Sequence, residues 1–405
     1  MNITIAWRNI WRNRKRTYIT ISSVLLAVIL AVFTRSFQEG TYAKMIENAV
    51  GQFTGYVQVH QKDYWEDKTL DNGITVNDSL IQSILSVSNV DGVNLRLESF
   101  SLAAFGSNTK GTLIMGIEPD VEDKMLKLTP KMFKGDYLTK SDRSVIIGFR
   151  LAEYLKITVN DTIVLMGQGH WGQSAIGAFR IKGIIKMPAP NIDKQIIFMP
   201  LALAQEYFSF ENGVTSIVIN TPDGSETNTI VAEINAKIDR SQYKAIDWRE
   251  MSPELLQQIQ SDKISGIFMI GILYMIIAFG VFGTVLMMAE ERKKEFAIMV
   301  AIGVQKTKLL KQTFYETLFM NSIGIFIGIV FTIPLVIYYN HHPIVMSGEA
   351  AQSIEKFGIE PVLPTILSAS IFINQIIVIL IITALASIYS FSSIIKLNVI
   401  KSLRK

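Results

Sequence analysis

The residues able to do chemistry are few. The four histidines are His60, His170, His341 and His342, there is no cysteine, and no H-x-x-x-H or H-E-x-x-H spacing gathers ligands for a metal. Without thiols, disulfides, thiolate metal sites and cysteine nucleophiles are excluded. No G-x-x-x-x-G-K-[ST] phosphate cradle occurs, nor any Gly-Lys dipeptide, and no G-x-S-x-G elbow. What stands out instead is the charged run Glu290-Glu291-Arg292-Lys293-Lys294-Glu295, followed by the apolar stretch Phe296 to Val304. That stretch is too short to cross a bilayer, lies between basic clusters and ends near Gly303, so it is expected to be a short helix on the membrane surface. A surface helix between two membrane helices can push on both, and this is mechanical chemistry rather than bond-making.

The elements around it are read from charge and hydropathy. The chain has 405 residues, 49% hydrophobic and 18% charged, with a mean hydropathy of +0.31. It is too apolar for an ordinary soluble chain and too charged for one wholly in lipid. Nearly uncharged spans run over 18–34, 264–289, 317–339 and 368–395, each long enough for a membrane helix. A basic region precedes the first, yet its apolar part exceeds a usual signal-peptide core and no A-x-A site follows, so it is expected to be an uncleaved anchor.

Basic residues set the orientation. They cluster before the first span (Arg8, Arg12, Arg14, Lys15, Arg16), between the second and third, and after the fourth (Lys396, Lys401, Arg404, Lys405). These three segments are therefore expected to be cytoplasmic, and the insertion between the first two spans extracytoplasmic. Residues 40–262 carry 21 Lys and Arg against 27 Asp and Glu, so the net +4 of the chain comes from its membrane-proximal segments. No basic patch interleaved with aromatics points to nucleic acid.

The expected layout is a cytoplasmic amphipathic helix over 1–17, membrane helices over 18–37, 264–289, 314–339 and 368–395, and an extracytoplasmic domain over 38–263. A cytoplasmic segment covers 290–313, an outer loop 340–367 and a cytoplasmic tail 396–405. The fold class is thus membrane α-helical with an α+β extracytoplasmic domain. Within that domain, strand signals at 55–60, 93–105, 215–220 and 243–247 and helix signals at 78–87 and 226–238 predict two β-α-β units, a ferredoxin-like split sheet. A β-rich lobe is expected to be inserted at about 112–208, with Gly167 to Gly177 as its flexible loop.

The spans hold no Asp, Glu, Lys or Arg at their centres, which argues against an ion or proton relay. Gly324 and Gly328 form a G-x-x-x-G pair suited to close helix packing. Met275, Phe279 and Phe282 on the second span are candidates to line a cavity for acyl chains.

The order of several phrases is similar to that of the FtsX-like permeases of ABC transporters, which include MacB-type exporters and lipoprotein-releasing permeases of the LolC and LolE kind. Glu291-Arg-Lys-Lys-Glu-Phe-Ala-Ile-Met-Val-Ala-Ile-Gly303 resembles that family's E-R-x-x-E…A-x-G segment, departing at Phe296-Ala297 where Ile-Gly is usual. Gly111 to Pro119, Ile146 to Ala152, Gly183 to Ile185 and Phe198 to Ala202 resemble its extracytoplasmic core domain. Met45 to Val50 and Gly55 to His60 look most like the lipoprotein-releasing members.

The resemblance implies a non-catalytic permease without a cofactor of its own, ATP being bound and hydrolysed by a separate cytoplasmic ABC ATPase. It implies a coupling helix in which Phe296, Met299 and Val300 enter a groove on that ATPase, Glu291, Arg292 and Glu295 orient the segment at the lipid surface, and Ala301 and Gly303 complete it. A second permease copy or paralogue forming a dimer, membrane lipid and a periplasmic lipoprotein carrier are the further implied partners, in a bacterial inner membrane. The implied work is release of lipoproteins, with efflux of drugs or peptides and FtsX-type control of cell-wall hydrolases as alternatives.

Overall fold

The computed structural model describes residues 2–12, 14–221, 224, 226–349, 351, 362–396 and 398. The chain divides into two compact units. A helical unit comprises Met1–Tyr42, Ile259–Val345 and Val362–Lys405, and a sheet unit comprises Ala43–Gln258 and Met346–Pro361. The tail expected over 396–405 lies mostly outside the described residues.

The chain begins with helices α1 (Asn2–Arg12) and α2 (Arg14–Ile46). Residues Glu47–Thr54 continue as a π-helix, closed by Gly55 at φ 78°, whose N–H donates to the carbonyl of Val50 at 2.7 Å.

The sheet unit then runs through β1 (Val57–Gln61), β2 (Ile74–Thr75), α3 (Asp78–Leu85), β3 (Gly92–Phe105), β4 (Asn108–Ile117), α4 (Pro119–Leu126), β5 (Met132–Gly135) and β6 (Ser144–Gly148). It continues with α5 (Phe149–Leu155), β7 (Thr162–Gln168), β8 (Ser174–Ile185), α6 (Pro190–Asp193), β9 (Ile196–Pro200) and α7 (Leu201–Tyr207). It ends with β10 (Gly213–Val214), β11 (Ser216–Asn220), α8 (Thr227–Lys237), β12 (Tyr243–Asp247) and α9 (Trp248–Met251).

Ten of these strands form one sheet in the order β12-β1-β11-β3-β4-β9-β6-β8-β5, with β7 bridging β3 and β8. At one end, β12, β1, β11 and β3 are antiparallel to each neighbour, and α3 and α8 cover them. Both faces of β1 and β11 are buried, and the alternation of side chains assigns one face to this core: Val57 and Val59 meet Ile217 and Ile219, with Ile84 and Ile234 packed above. Asn77 opens α3 by accepting the N–H of Leu80 at 2.7 Å, one residue before the expected start.

Strand β3 is long because it serves two partners. Its first residues pair with β11, and from Arg96 onward it pairs with β4. A second core, containing Leu97, Ile147, Leu165, Ile197 and Phe208, lies behind β3, β6, β7 and β9. Met115, Ile146 and Phe198 anchor a third on the other side.

The segment expected to be a flexible loop is instead a paired hairpin. Met166 lies opposite Ile176 and Gln168 opposite Ser174. The tip is held by the Gly169 N–H on the Gln173 carbonyl at 2.7 Å and the His170 N–H on the Phe208 carbonyl at 2.8 Å. Glycine and polar residues are poor strand formers alone, but the ladder to β3, with Leu102 opposite Met166, overrides propensity.

The chain then enters α10 (Pro253–Glu291), α11 (Lys293–Ala301), α12 (Lys306–His341), the short β13 (Ile344–Val345) and β14 (Val362–Leu363), and α13 (Ala369–Ile395). Four stretches, Thr17–Gly51, Pro253–Glu291, Lys306–His341 and Ala369–Tyr389, are long and apolar enough to cross a membrane. Within the helical unit, Val24, Val28, Ile277, Val281, Ile325 and Ile379 form the shared core of α2, α10, α12 and α13. Extended residues beside β14 lace two helices together: Thr365 Oγ1 donates to the Val336 carbonyl at 2.7 Å, and Ser36 Oγ to the Ile366 carbonyl at 2.5 Å.

Candidate functional site

The charged run after α10 folds as its composition demands. Lys and Glu side chains do not continue into lipid, and the chain turns at Arg292 before α11 starts. The far end of α11 is a Schellman closure. Gly303 at φ 96° lets its N–H reach the Val300 carbonyl at 3.0 Å, while the Val304 N–H reaches Met299 at 2.9 Å. A residue with a Cβ is disfavoured there.

One stripe of α11 is consumed inside the chain. Phe296 is 3% exposed and Ala297 is fully buried, packed with Leu309 and Ile394, and Met299 and Val300 are half-buried against the same cluster. Phe296 is therefore a core residue of this unit, not a side chain free to enter a partner's groove. The face left open carries Ile298, 52% exposed, and Ile302, 75% exposed, with Ala301 and Gly303 beside them.

Arg292 is buried as well. It is 4% exposed, stacked over the Phe296 ring at 4.8 Å and ion-paired with the buried carboxylate of Glu316 on α12. Glu316 also accepts from Asn9 Nδ2 of α1 at 2.8 Å and Gln312 Nε2 at 3.2 Å. Nearby, Arg12 Nη2 of α1 donates to both carboxylate oxygens of Glu295 at 2.9 and 2.8 Å, and Arg292 Nε lies 3.5 Å from Glu295. Glu291 is exposed.

Between α1, α11 and α12 these residues frame a groove of about 660 Å³. Ile298, Met299, Ile302, Val304 and Leu309 are its apolar lining, and Arg12, Glu295 and Lys308 are among its charged lining. Such a groove can receive an apolar side chain of another protein and fix its register by charge.

Sequence reasoning placed the segment but missed Asn9, Arg12, Ile298, Ile302 and Glu316. Glu316 gave one signal, an acid at the very edge of an apolar span. Its partner Asn9 lies 307 residues away, too far to be read from the sequence.

The other expected positions lie elsewhere. Met275 and Phe279 are 58% and 70% exposed on α10, and Phe282 stands edge-on to Tyr389 with ring centroids 5.5 Å apart. Gly324 and Gly328 lie against α2, where a Cβ would come within 2.9 Å of Val24 Cβ and 2.8 Å of Val28 Cβ respectively. Of the histidines, His60 is buried with Nδ1 2.9 Å from the Thr215 carbonyl, and His170 stacks on Phe210 at 4.2 Å. Among the described residues no three His, Cys, Asp or Glu side chains are grouped to hold a metal ion.

Two family models match: residues 17–237 match the MacB-like periplasmic core domain, and residues 267–399 the FtsX-like permease C-terminal region. Among curated proteins, the chain is 20% identical over 237 residues to the lipoprotein-releasing system transmembrane protein LolC of Neisseria meningitidis, covering 57% of each chain. It is 21% identical over 347 residues to an uncharacterized ABC transporter permease of Methanocaldococcus jannaschii, covering 82% of this chain and 83% of that one. It is 18% identical over 341 residues to the macrolide export ATP-binding/permease protein MacB 2 of Aeromonas hydrophila, covering 79% of this chain and 51% of that one. The chain thus spans little more than half the length of the LolC and MacB relatives it matches. Among solved structures, the periplasmic region of MacB from Actinobacillus actinomycetemcomitans aligns at 14% identity and a TM-score of 0.35, covering 54% of this chain and 98% of that one.

Proposed function

Since the chain belongs to the ABC transporter permeases of the MacB and FtsX type, we propose that it relays the stroke of a separate cytoplasmic ATPase to its MacB-like domain. The observation that carries this reading is the α11 segment. Its inner stripe is cemented to α12 and α13, while Ile298 and Ile302 remain exposed over a groove. A buried stripe makes the element stiff, and an open apolar face gives a partner something to hold.

In this reading the chain sits in a bacterial inner membrane with α1, α11 and the C-terminal end on the cytoplasmic side and the sheet unit in the periplasm. Two permeases, identical or paralogous, work with the ATPase pair. Closure of that pair displaces α11, the membrane helices shift, and the periplasmic domains change their spacing. ATP is bound by the partner, and this chain carries out no bond chemistry.

The cargo we propose is a lipoprotein released from the inner membrane to a periplasmic carrier. Support comes from the similarity to LolC and from the phrases 45–50 and 55–60. Depleting the protein and fractionating membranes tests it: lipoproteins retained in the inner membrane are expected, and unchanged sorting removes this cargo. A second reading, efflux of drugs or peptides, is favoured by the match to a macrolide exporter. Resistance and efflux assays on a deletion strain separate the two.

A further inference from the structure

We infer that α1 is a working part of the force-receiving element: the polar lock around Glu316 makes α1, α11 and the first turns of α12 one body. This rests on the proposed docking of an ATPase at α11. It extends that reading by giving the stroke a second exit, through α1 into α2.

Helix α11 is 9 residues long and is bounded by turns at Arg292 and Gly303, so it cannot steer a neighbour by its own stiffness. Among the described residues its apolar stripe packs against α12 and α13. The ties from α11 to α1 are polar, and α12 also meets α1 through Trp7 on Phe319 and Ile10 on Met320. Glu316, 1% exposed, shares its carboxylate between Asn9 of α1 and Arg292, and Arg12 Nη2 of α1 donates to both carboxylate oxygens of Glu295 of α11.

The buried and exposed halves of this lock do different work. Arg12 and Glu295 are 61% and 47% exposed at their side chains, and such a pair alone contributes little. Glu316 is different. Moving α1 away from α12 strips Asn9 from a carboxylate out of reach of water, and an under-satisfied buried charge is costly. The lock therefore resists separation of the three elements more than it resists their joint motion.

The connection onward is also present. Trp7 stands edge-on to Phe319 at 5.6 Å, Ile10 packs with Ile21 and Met320, and Thr17 Oγ1 donates to the Ile10 carbonyl at 2.6 Å. A displacement of α1 thus reaches the start of α2 through packed side chains and a buried hydrogen bond.

Because the chain has no cysteine, pairs of introduced thiols report the lock cleanly. In the first arm the full chain alone, in phospholipid vesicles, carries Arg12→Cys and Glu295→Cys and is treated with a short bismaleimide. Rapid linking is expected, slowed about tenfold when Glu316→Ala is added. An unchanged rate overturns the inference. If Glu316→Ala does not fold, Arg292→Met with Glu316→Leu, which removes the acceptor for Asn9 without leaving a buried charge, replaces it under the same criterion.

In the second arm the linked protein is assembled with its ATPase. Nucleotide-driven release of cargo is expected to persist with α1 covalently fixed to α11, since the two already travel together. Loss of release in the linked protein, with ATP hydrolysis intact, overturns the inference. If no ATPase binds the unmodified chain, the proposed function fails instead, while the first arm still decides the lock.

Discussion

Gly40 of α2 faces the Pro364 carbonyl oxygen so closely that a Cβ on it would sit 2.4 Å from that oxygen. The contact belongs to the extended segment whose Thr365 carbonyl accepts Asn340 Nδ2 at 2.6 Å, so one strap touches both α2 and α12. Both sides of the contact are backbone, and neither can swing aside. Gly40→Ala is therefore expected to cost about 1–3 kcal/mol, as overpacking does. Thermal unfolding of the purified chain in detergent checks it, and an unchanged midpoint would show that the strap is free to move.

The sheet unit hides one ion pair completely. Arg96 and Glu122 are both fully buried; Arg96 Nε and Nη2 donate to Glu122 Oε1 at 3.0 and 2.5 Å, and Nη1 to the Phe53 carbonyl at 2.6 Å. Asn94 Nδ2 donates to the other carboxylate oxygen at 3.1 Å. Arg96→Met leaves that carboxylate uncompensated and is expected to cost about 3–5 kcal/mol. Arg96→Met with Glu122→Leu is expected to recover most of the loss. Chemical denaturation of the three proteins distinguishes this from simple loss of packing, which the double variant would not restore.

His60 predicts a pH dependence. Burial lowers its pKa from 6.5 to about 4, against the Thr215 carbonyl that favours the protonated ring and with Lys68 opposing it. The folded state therefore resists a proton that the unfolded state accepts below its ordinary value. Stability is full above about pH 6.5 and falls as pH drops towards about 4, by at most about 1.4 kcal/mol per unit. Burial holds Glu98 and Asp193 above the usual carboxylate range, which acts in the opposite direction, so the informative quantity is a difference. His60→Leu is expected to flatten the wild-type fall between these values, and parallel curves for the two proteins would refute it.

Two residues of α11 separate folding from docking. Phe296→Ala empties a core shared with Leu309 and Ile394 and is expected to cost about 3–5 kcal/mol. Ile302→Ala removes an exposed side chain and is expected to leave stability within about 0.5 kcal/mol. Unfolding curves of both variants, measured side by side, check the assignment of the two faces. Equal losses would mean that the exposed face is also structural.

Much of this organisation can be read from the chain itself. Apolar spans are long-range averages, so single misplaced residues do not hide them. The strands near 144–147, 162–166 and 196–199 announce themselves by β-branched runs. The hairpin was illegible because Gly167 pairs with Ser101 of β3, more than sixty residues earlier, and its tip is held by the Phe208 carbonyl, nearly forty residues later. On α11 the spacing of Phe296, Met299 and Val300 reveals a single stripe, but periodicity does not say whether a stripe faces its own chain or another. The lock at Glu316 was hidden for a simpler reason: Asn9 lies 307 residues away.

Relay of a partner's stroke requires that a separate ATPase grip the exposed face of α11. The direct measurement is affinity purification of the tagged chain from its own cells, with ATP hydrolysis assayed in wild type and in a variant carrying Ile298→Asp and Ile302→Asp. The wild-type chain is expected to bring down a nucleotide-hydrolysing subunit, and the variant to fold and reach the membrane without it. Hydrolysis by the chain alone, or equal retention of the subunit by the variant, would contradict the account.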